Sequence, residues 1–236
     1  MKKVLLTAAA VLSLTFVNAQ DLKSKKGEAY LPVAGDWAIS FNANGIFEYA
    51  GNAFNGKTDN AAPTVTNVTE NTFVGKKFIT DKSAYRVVAN LGFGSNNVAS
   101  GTVAGYTFGA YKASTVAVTA GVGKEWRRGS TRLQGFYGAD ALVGFSSTKW
   151  KEDKAPNQTY NVGTSINLGV TGFIGAEYFI FPKMSVGAQY NYGLQIKSNG
   201  ASKYSVPGSP DVNGESTTNF NLGNVTAASM NLTLHF

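Results

Sequence analysis

Cysteine is absent from the 236 residues. That excludes disulfides, thiolate metal sites and a lipid-modified N-terminal cysteine. Histidine occurs once, at His235, so any metal site would be built from oxygen ligands. Charged residues are sparse at 15%. No stretch approaches the ~20 consecutive apolar residues of a spanning helix. No long segment carries helical periodicity, so stability has to come from a sheet and its surroundings.

What remains is a glycine- and aromatic-rich chain with period-two alternation. Its last seven residues are the clearest case. Met230, Leu232, Leu234 and Phe236 share one parity, and Asn231, Thr233 and His235 share the other. Successive side chains of a strand point to opposite faces, so this end reads as a strand with one apolar and one polar side.

The N-terminus reads as an export signal over residues 1–19. Lys2 and Lys3 precede the apolar run Val4 to Val17, and Val17-Asn18-Ala19 fits a small-residue cleavage site before Gln20. Loss of Lys2 and Lys3 takes the formal charge from +7 to +5. A basic balance can mean nucleic acid, but an exported chain with scattered lysines and arginines is not expected to bind it. Acidic lipid headgroups or a loop-level contact are the expected partners.

Residues 20–35 show no clean period and read as a periplasmic lead-in. Residues 36–236 read as eight strands: 36–49, 72–80, 84–95, 114–126, 132–145, 164–179, 184–195 and 220–236. The first places Trp37, Ile39, Phe41 and Ala43 on one face. The parity of the second is ambiguous. The connections alternate long and short. The short ones, Asp81–Ser83, Arg127–Thr131 and Phe181–Lys183, carry Gly, Pro or Asp/Ser turn chemistry. The long ones are polar. An even strand count with short turns on one side and long loops on the other is the layout of transmembrane barrels. The expected fold is all-β: an eight-stranded antiparallel transmembrane β-barrel of up-and-down topology.

A soluble barrel alternates too, with its apolar face inside. Three features favour lipid outside. The polar face is rich in Gly and small polar groups. The mid-strand apolar face is almost free of charge, with Lys124 placed to snorkel beside Trp126. Aromatics form two expected girdles: Trp37, Tyr85, Trp126, Tyr178 and Phe236 near the short turns, and Phe93, Phe145 and Tyr192 toward the long loops.

With these patterns in hand, the signal ending Asn18-Ala19-Gln20 and the stretches Leu31–Trp37 and Ala176–Met184 resemble a Bacteroidota branch of the small eight-stranded outer-membrane barrels. These are similar to the transmembrane domain of OmpA and to opacity-type surface proteins. The resemblance covers the mature chain. It implies residence in the outer membrane, contact with its lipid, handling by the barrel-assembly machinery, and an assembly signal at Met230, Leu232, Leu234 and Phe236. No peptidoglycan-binding segment is recognisable after the last strand.

Candidate chemistry is thin. Gly51-Asn52-Ala53-Phe54-Asn55-Gly56-Lys57-Thr58 matches G-x-x-x-x-G-K-T, but that motif needs a strand before it and a helix after it. Asp59-Asn60-Ala61-Ala62-Pro63 reads as a loop, so no nucleotide partner is expected. Gly92-Phe93-Gly94 lacks the rest of a dinucleotide site. His235 lies at the periplasmic rim, away from any outer-leaflet catalytic position. Arg86, Glu125, Asp140, Glu177 and Gln189 fall on the inward parity and are expected to form a polar network, because single buried charges are costly. Trp150 among Lys149, Lys151 and Lys154 marks a possible third-loop contact for another envelope protein. The expected protein is a plugged, non-enzymatic barrel without cofactor or metal, structural or interactive through its long loops. A narrow channel or a small-ligand-binding barrel is the alternative.

Overall fold

A computed structural model describes residues 22–57, 72–103, 106–108, 110–152, 158–223 and 228–236. The signal segment 1–19, Gln20 and Lys154 lie outside them. The described chain is nearly all antiparallel strand. Its elements run β1 (Trp37–Asn42), α1 (Asn44–Phe54), β2 (Thr72–Thr80), β3 (Ser83–Val98), β4 (Gly101–Val103), β5 (Tyr106–Phe108), β6 (Tyr111–Arg128) and β7 (Leu133–Glu152). They continue with β8 (Thr159–Phe181), β9 (Met184–Asn199), β10 (Lys203–Ser205), β11 (Val212–Asn213), β12 (Thr217–Gly223) and β13 (Ser229–His235).

Eight strands close a ring in the order β1, β2, β3, β6, β7, β8, β9, β13 and back to β1. Each strand pairs with its neighbours in sequence, and the first pairs with the last: an up-and-down barrel. The closing register sets Ala38 against His235 and Phe41 against Leu232. β12 continues the last strand upward, pairing Phe220 with Ile196 and Leu222 with Leu194 of β9. The small β4–β5 hairpin and the β10–β11 pair decorate the long-loop side.

Alternation sorts the side chains radially. Val87, Leu91, Val122, Val143, Ile166, Leu168, Val170 and Ile174 are exposed on the outer face. Arg86, Val88, Asn90, Glu125, Gln134, Asp140, Thr171, Glu177, Ser185, Asn191, Thr233 and His235 are buried inside. The inward glycines have a specific use. Asp140 pairs across the sheet with Gly123, Phe136 with Gly175, Phe173 with Gly138, and Glu177 with Gly187. Each of these four inward side chains thus lies opposite a residue with no side chain, which makes room for it inside a narrow ring.

Three sequence expectations change. The first strand stops at Asn42, not Tyr49, and Asn44–Phe54 is helical. Beyond Asn42 the apolar residues Ile46, Phe47, Ala50, Ala53 and Phe54 follow a period near 3.6 rather than two. Ala43, expected on the outer face, is buried. Second, β6 runs through Arg128, so Arg127 belongs to a strand rather than a turn. Third, β7 extends to Glu152, so Lys149, Trp150 and Lys151 are strand residues. Trp150 stacks on Tyr111 at 5.5 Å and meets Tyr160 edge-on at 5.9 Å. Cross-strand aromatic packing holds these hairpins upright above the expected loop boundary.

The lead-in packs on the short-turn rim. Ala34 N–H donates to Asp81 Oδ1 at 2.8 Å, and Lys77 Nζ donates to the Gly35 carbonyl at 2.6 Å. The Arg132 guanidinium lies between Tyr30 and Tyr178, 4.0 and 5.3 Å from their ring centres.

Candidate functional site

The barrel interior has two levels. The lower one is an ionic and aromatic plug. The interior parity brings Arg86, Glu125, Asp140, Glu177 and Gln189 together, and two further cations join them: Arg127, expected in a turn, and Lys76, on the strand whose parity the sequence leaves ambiguous. Three basic side chains (Lys76, Arg86, Arg127) and three acidic ones (Glu125, Asp140, Glu177) are all more than nine-tenths buried. Their formal charges cancel.

Glu125 is the hub. Its carboxylate lies 2.8 Å from Lys76 Nζ, 2.9 Å from Arg86 Nη1 and 3.3 Å from Arg127 Nη1. Lys76 and Arg86 are direct cross-strand partners, a like-charge pair that would repel without the carboxylate between them. Arg86 Nη2 also donates to Asp140 Oδ2 at 3.2 Å and Nη1 to Gln189 Oε1 at 3.3 Å. Arg127 pairs with Glu177, and its Nε donates to Gln134 Oε1 at 3.1 Å. Removing six charges from water is expensive, and only multiple well-placed partners offset it. The network therefore specifies one arrangement rather than adding much net stability.

Aromatic rings wall this network. The Arg86 guanidinium lies 3.8 Å from the centre of the Phe173 ring, and Lys76 Nζ lies 5.1 Å from that of Phe136. Desolvated cation–π contacts of this kind contribute ~2 kcal/mol. Below them, Phe78 and Phe179 flank His235 at 5.7 and 5.1 Å between ring centroids. His235 Nε2 is 3.3 Å from Ser185 Oγ, while Nδ1 has no hydrogen-bond partner. Ser185 is fully buried.

The upper level is a cup of mixed lining. A cavity of about 720 Å³ extends from the ion network to the long-loop rim. Lys76, Arg86, Asp140 and Glu177 line it together with amides and hydroxyls such as Asn42, Thr119, Asn167 and Asn231, with Lys197, and with apolar side chains such as Val88 and Leu142. Thr171 Oγ1 and Asn167 Oδ1 have no hydrogen-bond partner among the described residues.

On the outer face, Trp37, Tyr85, Phe93, Trp126, Phe145, Tyr192 and Phe236 are exposed, and Tyr178 is partly covered by Arg132. Lys124 Nζ sits 5.8 and 5.2 Å from the Tyr85 and Trp126 rings, and Lys77 sits 4.5 Å from Trp37. Outward cations are thus seated on aromatics near the short turns. Met230 and Leu234 are exposed, and Thr233 and His235 are buried. The glycine-flanked stretch beginning at Gly51 forms the C-terminal end of α1, where the helix dipole opposes anions; Thr58 lies outside the described residues.

The signal for Arg127 is that it follows Glu125 by two residues and so shares its parity once the strand is carried past Trp126. Lys76 has no such signal: Lys76-Lys77 and Phe78-Ile79 break the alternation of β2, and only its register with β3 sets its face. The fold and its interior define an eight-stranded up-and-down barrel with an ion-paired core. No family model matches the chain, and no curated protein matches it.

Proposed function

We propose that the chain is an integral outer-membrane barrel of the small eight-stranded kind, similar to the OmpA transmembrane domain and to opacity-type proteins, in a Bacteroidota branch. Its interior is plugged, it is not an enzyme, and it acts structurally or by contacting another envelope component through its outward extensions. The observation that carries this reading is the inverted radial polarity: an exposed apolar belt around a buried charged core. In water such a belt would drive aggregation; in lipid it is the stable arrangement, and the ring closes by pairing the first and last strands over Ala38 to Asn42 and Asn231 to His235.

Membrane fractionation with heat-modifiable gel mobility tests the location. The expected result is an outer-membrane fraction whose unboiled band migrates faster than the boiled one. A monodisperse, detergent-free soluble protein would overturn the reading. Crosslinking followed by pull-down from native membranes asks whether the barrel has an envelope partner.

The cup favours a second reading, a narrow channel or a small-ligand site. Planar-bilayer recordings separate the two. The plugged barrel gives little or no unitary current, because Glu125 and its three cations fill the cross-section; stable large openings would establish the channel.

A further inference from the structure

The helix α1 occupies the place where the barrel wall is lowest. β1 has 6 residues and its seam partner β13 has 7, against 23 in β8. A membrane-crossing strand needs ~9–11 residues. Above Asn42 the seam has no further β1 pairing: among the described residues, β12 pairs with β9 alone. The chain turns into α1 at this point, and its root is tied to the last strand. Ala43 N–H donates to the Met230 carbonyl at 2.8 Å, and Asn44 Oδ1 accepts the Met230 N–H at 2.6 Å. Asn42 Oδ1 accepts the Asn44 N–H at 2.9 Å.

The helix is amphipathic and its apolar row is exposed. Ile46, Tyr49 and Ala53 follow one another at i, i+3 and i+7, and all three are exposed; Phe54 is 91% exposed. Phe47 and Ala50 are partly covered. Glu48 and Asn52 lie on the opposite arc. Eleven residues with Gly45 and Gly51 and no side-chain N-cap hydrogen bond do not make a helix stable on its own in water. Ile46 and Ala53 need a cover, and Met230, at the helix root, is itself an exposed member of the barrel's outer apolar face.

We infer that α1 is an interfacial helix whose Ile46–Tyr49–Ala53 row lies on the acyl chains of the outer leaflet, continuing the apolar belt across the gap where β1 stops. The inference rests on the membrane reading above. Glu48 is the helix's one charged residue and no Lys or Arg lies within it, so apolar burial rather than headgroup charge seats it.

The absence of native cysteine makes the test direct. Ile46→Cys, Ala53→Cys, Glu48→Cys and Asn52→Cys, with Val143→Cys as a mid-belt control, are spin-labelled in the full barrel in phosphatidylcholine vesicles. Collision with oxygen is compared with collision with a water-soluble nickel chelate. Labels at 46, 53 and 143 are expected to meet oxygen and to be several-fold less accessible to nickel than labels at 48 and 52. Equal nickel access at all four helix positions, with 143 still shielded, overturns the inference and leaves the membrane reading standing. Nickel access at 143 overturns both. Hydrogen exchange of the unsubstituted protein gives an independent reading: the α1 amides are expected to be protected in vesicles, and exchange at the rate of an unstructured peptide overturns the inference.

Discussion

Trp37 and Phe236 exchange two backbone hydrogen bonds. The Trp37 N–H donates to the Phe236 carbonyl at 2.7 Å, and the Phe236 N–H donates to the Trp37 carbonyl at 2.9 Å. The seam between the first and last strands therefore ends on a reciprocal pair. Deleting Phe236 removes both bonds and an exposed aromatic ring, whereas Phe236→Ala removes the ring alone. The deletion is expected to lower the urea midpoint and the folded yield further than Phe236→Ala does, since each orphaned polar group costs ~1–3 kcal/mol when shielded from water. Indistinguishable midpoints would show that the ring, not the seam, matters.

Glu125 holds Lys76, Arg86 and Arg127. Glu125→Ala leaves three buried cations sharing fewer carboxylates, and the expected loss is about 3–5 kcal/mol in urea unfolding followed by tryptophan fluorescence. Adding Lys76→Met to Glu125→Ala should recover part of that loss, because it removes one uncompensated charge. A Glu125→Ala cost below ~1 kcal/mol would mean that water enters the plug.

Glycine substitutions should divide by place. A Cβ on Gly187 would lie 2.8 Å from the Ala176 carbonyl oxygen and 2.9 Å from Glu177 Cβ. Gly187→Ala is expected to cost ~1–3 kcal/mol of barrel stability. Gly51 in α1 has open space around it, so Gly51→Ala should strengthen that helix by ~0.5–1 kcal/mol. Circular dichroism and unfolding midpoints of the two variants check the contrast.

Asp36, just ahead of β1, gives an acid-sensitive anchor for the lead-in. Burial raises its carboxyl, but the Lys183 ammonium and the Val33 N–H outweigh that and hold it below the ordinary 3.8. A carboxyl depressed in the folded state adds stability above its unfolded value and loses it as pH falls through the folded one. The midpoint difference between the wild type and Asp36→Asn should stay constant from about pH 7 to about pH 5 and shrink below about pH 4. A difference that persists into stronger acid would assign the effect to shape rather than charge.

Much of the barrel was legible because lipid-type alternation runs through β3 and β6–β9, where most inward residues are polar or small and Val88, Phe136, Phe173 and Phe179 are the bulky apolar exceptions. The interior network was legible in part for the same reason. Lys76 stayed hidden because adjacent lysines on β2 face opposite ways, one into the plug and one onto Trp37. Arg127 was hidden by Arg128 and Gly129, which read as turn chemistry although the strand runs through both arginines. The α1 switch was hidden because Trp37, Ile39, Phe41 and Ala43 alternate up to the residue where the period changes. Trp150 looked like a loop anchor because its partners, Tyr111 and Tyr160, lie on other strands that only the fold brings near.

The tall hairpins of β6 to β9 bear on what any external partner would meet. Tyr111, Trp150 and Tyr160 stand on paired backbone rather than on free loop, with Tyr111 opposite Glu152 and Trp150 opposite Tyr160. Ordering a flexible loop on binding costs conformational entropy for every residue immobilised, whereas a sheet has already lost it on folding. A ligand docking on this raised wall would find its contacts pre-set, so its affinity should depend on shape fit far more than on induced ordering.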